Sequence, residues 1–146
     1  MNTINISQIK AWEPDAVEYL PADWAGTALD LLKTKVPARH KLNLVSRIEC
    51  IDAKILVDFC EWCAATSQHT QPWDNKYLEK ARKDPRYAYI VADCVATATA
   101  WAADAVGKEG LTISDWAASG KGNEVAYVRE NVRKAQVQHL IEMLEN

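Results

Sequence analysis

Apolar and polar positions along the chain recur mostly at helical spacing, and the longest such run lies between Asp84 and Gly107. There Tyr87, Ile90, Val91, Cys94, Ala98, Trp101 and Ala105 share one face. A second face, Ala92, Ala96, Thr99 and Ala103, is almost entirely small, and only Asp93, Thr97 and Asp104 form a polar strip. Asp84 is a suitable N-cap, Pro85 suits the first helical position, and Gly107 is a natural stop. A helix so apolar on most sides belongs inside a protein, and its small face lets neighbouring helices come close. Its two aspartates leave it without the ~20 clean apolar residues of a membrane span.

The other elements follow from the same periodicity. Residues 3–12 have weak helical spacing at Ile6, Ile9 and Trp12. Pro14, Pro21 and Pro37 read as the first residues of consecutive helices. The first, over 14–20, turns Val17 and Leu20 inward. The second, running to about Lys35, turns in Trp24, Ala28, Leu31 and Leu32. The third turns in Leu42, Val45 and Ile48. Asp52 caps a stronger helix whose apolar face is Ile55, Leu56, Phe59, Cys60 and Cys63, with Lys54 and Asp58 spaced for an ion pair. Ser67–Gln71 reads as a loop, and 74–83 as a short charged helix with Tyr77 and Ala81 inward. Thr112 or Ser114 caps a brief turn carrying Trp116, and Gly120-Lys121-Gly122 forms a hinge.

The last helix, 123–144, changes face partway. Val125, Val128, Val132 and Ala135 lie on one side, and Val137, Leu140, Ile141 and Leu144 lie roughly 145° away. Either it bends near Gln136, or its end packs on something different from its start. The N-terminal segment is the expected neighbour and a second subunit, as in a homodimer, the alternative. No run alternates with period two, so no strand is expected. The reading is an all-α single domain over 1–146, a bundle of roughly six to eight helices around the helix at 85–106, with 1–36 as a less typical N-terminal extension.

Composition narrows the function classes. A net charge of −3 lacks the basic excess of a nucleic-acid binder. The opening MNTINISQIK lacks the basic and apolar regions of a signal peptide, so a cytoplasmic location is expected. Cys50, Cys60, Cys63 and Cys94 are then expected as reduced thiols.

Cys60-Glu61-Trp62-Cys63 is a C-x-x-C, and with His69 and Cys94 it could assemble a zinc site. The pair sits deep in a helix, without the dipole that activates redox thiols, and without a second closely spaced ligand pair. Buried cysteines packing as small hydrophobes is the plainer reading. His40, His69 and His139 begin no motif, no catalytic constellation is legible, and no metal or cofactor is expected. Gly120-Lys121-Gly122-Asn123 lacks the phosphate-loop pattern. The basic run from Lys76 to Arg86 is diluted by Glu79 and Asp84. Arg129, Arg133 and Lys134 on the last helix are a weak candidate for a nucleic-acid patch.

The tryptophans stand out. Trp12, Trp24, Trp62, Trp73, Trp101 and Trp116 each carry an indole N–H that wants a partner, and exposed aromatics concentrate at interfaces. Trp62, Trp73 and Trp116, with Arg129 and Arg133, are the candidate binding residues.

The stretch VPARHKLNLVSRIECIDAKILVDFCEWCA, followed by AYIVADCVATATAWAADAV and a closing AQVQHLIEMLEN, resembles a group of alanine- and tryptophan-rich helical immunity proteins of bacteria and phages. The resemblance covers about residues 36–146, in order, and rests on composition more than on diagnostic motifs. It implies a non-enzymatic protein that binds and neutralises a partner protein, as an immunity protein does its toxin or a phage-encoded inhibitor does a host defence such as an anti-CRISPR target. It brings no catalytic residues. Two alternatives remain: a small metal- or thiol-dependent protein using Cys60 and Cys63, and a helical nucleic-acid binder.

Overall fold

In the computed structural model, described over residues 2–66, 72–105 and 122–146, the chain is almost wholly helical. Side chains are described for all of these except 72–75, 101–105 and 122–125.

Helix α1, Ile6–Trp12, starts in a reciprocal cap. The Asn5 side chain accepts from the Gln8 N–H at 3.0 Å, and the Gln8 side chain accepts from the Asn5 N–H at 2.9 Å. Pro14 then opens a short helix as its position predicts, wound as a 3-10 segment over Pro14–Tyr19. Its tighter winding points Ala16 into the core and leaves Val17 and Leu20 half-buried.

The expected helix from Pro21 to Lys35 is replaced by three pieces. Residues 21–24 turn, with the Trp24 N–H donating to the Pro21 carbonyl at 3.0 Å. Strand β2, Ala25–Gly26, pairs antiparallel with β1, Ile4–Asn5, in the register Ile4 to Gly26 and Asn5 to Ala25. The absence of strands expected from the sequence is therefore corrected, because a two-residue ladder is too short to show an alternating pattern. Gly26 is needed here: a Cβ would fall 2.9 Å from the Asp30 Cβ and 3.1 Å from the Trp24 ring. Helix α2, Ala28–Leu32, begins only at Thr27, which exchanges cap hydrogen bonds with Asp30. Those bonds hold the Asp30 carboxyl below its usual range.

Helix α3, Ala38–Val45, has Pro37 at its N-cap, one position earlier than expected. It buries Leu42, Leu44 and Val45. Ile48, expected inward, is 49% exposed because the chain leaves the helix at Ser46. Helix α4, Ala53–Thr66, buries Leu56, Phe59, Cys60 and Cys63 as its spacing predicts, and the Lys54–Asp58 pair forms at 2.9 Å on its outer face. Helix α5, Pro72–Lys83, turns Leu78 and Ala81 inward and ties to α4 through Arg82 Nη2 and Glu61 Oε2 at 2.9 Å.

Asp84 caps the central element as expected, accepting from the Arg86 N–H at 3.1 Å. A 3-10 turn, Pro85–Tyr87, leads into α6, Ala88–Ala105. The wholly buried positions are Ala88, Val91, Ala92, Val95, Ala96 and Ala100, while Tyr87, Ile90, Cys94 and Ala98 are half-buried. The small face is thus the deep one, reversing the expected emphasis. Bulky residues would hold away the neighbours α4, α5 and α7 that pack on α6. The expected stop at Gly107 and the Thr112–Gly120 region lie outside the described residues, as does the Ser67–Gln71 loop.

Helix α7, Gly122–Glu145, packs along α6 and also against α2 and α3. Its second half buries Val137 and Leu140, and Lys33 of the N-terminal segment pairs with Glu145 at 2.6 Å. The face change therefore marks a change of neighbours, with the N-terminal segment covering the helix end. Among the described residues, no helix is long and apolar enough to cross a membrane.

Candidate functional site

Three helices leave an open groove where their side chains fall short of one another. Trp62 and Thr66 come from α4, Val95 and Thr99 from α6, and Val132, Ala135 and Gln136 from α7. The groove holds about 290 Å³ and its walls are mostly apolar. It exists because α6 contributes small and β-branched side chains here, while α7 presents Ala135 rather than a larger residue.

Trp62 forms one wall and is held rigidly. Its ring lies flat on His139 of α7, with centroids 3.9 Å apart and planes at 7°. The Phe59 ring also stacks with it, with centroids 6.5 Å apart and planes at 15°. Such stacking fixes the indole and leaves part of it exposed. Thr66 spends its hydroxyl on the Cys63 carbonyl at 2.8 Å.

Gln136 is the polar member. It is 2% exposed, and its Nε2 donates to the Ala92 carbonyl at 3.0 Å. Its Oε1 is buried and has no hydrogen-bond partner among the described residues. A buried acceptor left without a donor costs about 1–3 kcal/mol. Beside it on α7, Arg133 turns away from the groove, 11% exposed, and binds Asp93 through Nη2 at 2.6 Å.

The structure therefore brings one candidate binding residue, Trp62, into a concave site. It places Arg133 in a mostly buried ion pair and Arg129 half-buried on the same helix. The side chain of Trp73, and Trp116 entirely, lie outside what is described. Sequence reasoning missed Val95, Thr99, Val132, Ala135 and Gln136 as a set. The available signal was the face change on the last helix, which falls at Gln136.

The C-x-x-C pair sits on the buried side of α4. Cys60 and Cys63 are both fully enclosed, and Cys60 donates weakly to the Ala88 carbonyl at 3.7 Å. Burial pushes the Cys60 thiol up to about 12 and the Cys63 thiol well above its ordinary value. Thiols in this state keep their protons at neutral pH and are poor nucleophiles. No group of three or more His, Cys, Asp or Glu side chains converges for a metal among the described residues; His69 lies outside them.

No protein-family model, curated protein or solved structure matches the chain.

Proposed function

We propose that the protein is a non-enzymatic binding protein that engages a partner protein and neutralises it. The observation that carries this reading is the groove walled by Trp62, with the open acceptor of Gln136 at its side. A volume of about 290 Å³ is at the bottom of the ~300–1,000 Å³ range of small-molecule and cofactor sites. It suits one aromatic or branched side chain, and a donor on that side chain would satisfy Gln136. Rigid aromatic walls around a single anchored side chain are the usual makeup of an interface hot spot.

The test uses the intact chain and an Ala135→Trp variant as parallel baits in a lysate of the source cells. Ala135 is exposed, so a larger side chain there fills the groove without entering the core. A stoichiometric partner held by the native chain, lost with the variant, and inhibited on binding is the expected outcome. A partner retained by Ala135→Trp would remove the groove from the interface. A partner that binds with its activity intact would remove neutralisation.

A further inference from the structure

A second cleft, of about 200 Å³, lies at the start of α6, before the stretch that lines the groove. Asn43, Ser46, Arg47 and Glu49 line it from the end of α3 and the loop beyond, and Arg86, Tyr89 and Ile90 line it from the start of α6. We propose that this cleft is a binding site for a carboxylate, held by the Arg47 guanidinium and the Ser46 hydroxyl.

Two polar groups in it are built but unused. Ser46 is 3% exposed and its Oγ has no partner among the described residues. Arg47 Nε is likewise buried without a partner. Both can donate, and an arginine can only donate, so the missing group is an acceptor. The rest of Arg47 is fixed. Its guanidinium lies 4.9 Å over the Trp12 ring, and Nη2 is 3.5 Å from Asn43 Oδ1, at the limit of a hydrogen bond. Asn43 is itself turned toward Glu13, donating to Glu13 Oε2. Glu13 is engaged there, with His40 Nδ1 3.6 Å from its other oxygen. Arg86 is held by Asp84 in a two-pronged pair, with Nη2 to Oδ2 at 2.7 Å. Among the described residues, Arg47 is therefore the cation lining the cleft that forms no ion pair with a carboxylate.

Charge decides the class of anion. Glu49 lines the same cleft, and Asp84 offsets Arg86, so the surroundings are close to neutral. A dianion such as phosphate would meet Glu49 without enough positive charge, whereas a carboxylate carries one charge and two acceptor oxygens. Those two oxygens match one N–H and one O–H donor. The source is either a small free carboxylate or an acidic side chain on a polypeptide.

Trp12 is a built-in reporter, because Arg47 covers its ring. The experiment titrates the intact protein with acetate, with inorganic phosphate, and with a blocked Gly-Glu-Gly peptide, following the Trp12 indole and the Ser46 and Arg47 amides by NMR. The expected result is saturable shifts with acetate or the peptide, weaker ones with phosphate. Ser46→Ala should weaken acetate about tenfold, the usual loss for one hydrogen bond to a charged group. That variant removes a hydroxyl with no partner among the described residues, so it should fold normally. Arg47→Gln should abolish the response. Tighter binding by the peptide than by acetate would assign the site to a polypeptide side chain, and the reverse to a free carboxylate. No saturable shift with any carboxylate, phosphate binding tighter than acetate, or an undiminished response in Ser46→Ala would each overturn the proposal. So would acetate binding only in Glu49→Gln, which would make Glu49 itself the occupant.

Discussion

The groove and the cleft draw on the same helix, α6, and are separated by roughly 7 Å of helix rise between Ile90 and Val95. Each holds buried polar atoms without a partner among the described residues: Gln136 Oε1 in one, Ser46 Oγ and Arg47 Nε in the other. They arise from opposite causes. The groove is a deficit of volume, since Thr99, Val132 and Ala135 are too small to meet across three closely packed helices. The cleft is a deficit of partners, since two arginines and Glu49 gather where α3 ends and, among the described residues, only Arg86 is neutralised in a close pair. An apolar hollow selects by shape and size, while an unfinished hydrogen-bond set selects by charge and donor geometry.

The contrast can be broken from the groove side first. Phe59 is fully buried beneath Trp62, and Phe59→Ala should cost about 3–5 kcal/mol in urea denaturation. It should also disturb Trp62 fluorescence while leaving the acetate response of Trp12 in place. Loss of both signals together would show that the two sites are one cooperative unit.

Asp93 lies between the two stretches of α6 and holds Arg133. Asp93→Ala leaves that mostly buried guanidinium without its carboxylate. The cost should be about 2 kcal/mol, between an exposed and a fully buried pair, read by the same denaturation experiment.

The buried thiols report on each region separately. Cys60 and Cys63 share α4 with the groove residues Trp62 and Thr66, and Cys50, pushed up to about 11 by burial, follows Glu49 of the cleft and donates to the Leu44 carbonyl at 3.5 Å. All three fold-state values are raised above an ordinary thiol near 9. The unfolded chain therefore loses these protons first, and stability is full below pH about 9 and falls as pH rises toward 11 to 12. The slope is at most about 1.4 kcal/mol per pH unit per thiol. Denaturation midpoints at about pH 8 and about pH 10 check the direction. Alkylation rates of Cys50 against Cys60 and Cys63 in the native protein then compare how readily cleft and groove open.

Smallest of all should be the effects of two changes, one buried and one at the surface. Ser46→Ala should be neutral or stabilising by up to about 1 kcal/mol, because it deletes a buried hydroxyl with no partner. Lys54→Ala, which removes an exposed ion pair on the outer face of α4, should leave the denaturation midpoint essentially unchanged. A larger loss in Ser46→Ala would mean that its hydroxyl is satisfied in solution.

Much of the helical frame was legible in the residues. The helix around Ala88–Ala105, its Asp84 cap, the buried face of α4 and the Lys54–Asp58 pair all follow from local spacing and capping chemistry. The stretch 21–35 departs from its helical spacing, because the two-residue ladder at Ala25–Gly26 depends on pairing with Ile4–Asn5, some twenty residues earlier in the chain. Ile48 misled for a related reason: helical spacing predicts its direction only while the helix continues, and α3 stops at Val45.

Of the sites, the sequence supplied Trp62 and the break at Gln136 but not the groove. Periodicity says which residues face inward, and a groove is where inward faces of three helices fail to meet. The cleft was less legible still. Ser46, Arg47, Arg86 and Tyr89 are unremarkable as letters, and what distinguishes them is which donors found acceptors once the chain had folded. Local propensity, set by neighbours a few residues apart, determined the helices and most of the core. Only the packing of α3, α4 and α7 on α6 decided where volume and hydrogen bonds were left over, because those remainders are properties of pairs of elements and not of any one segment.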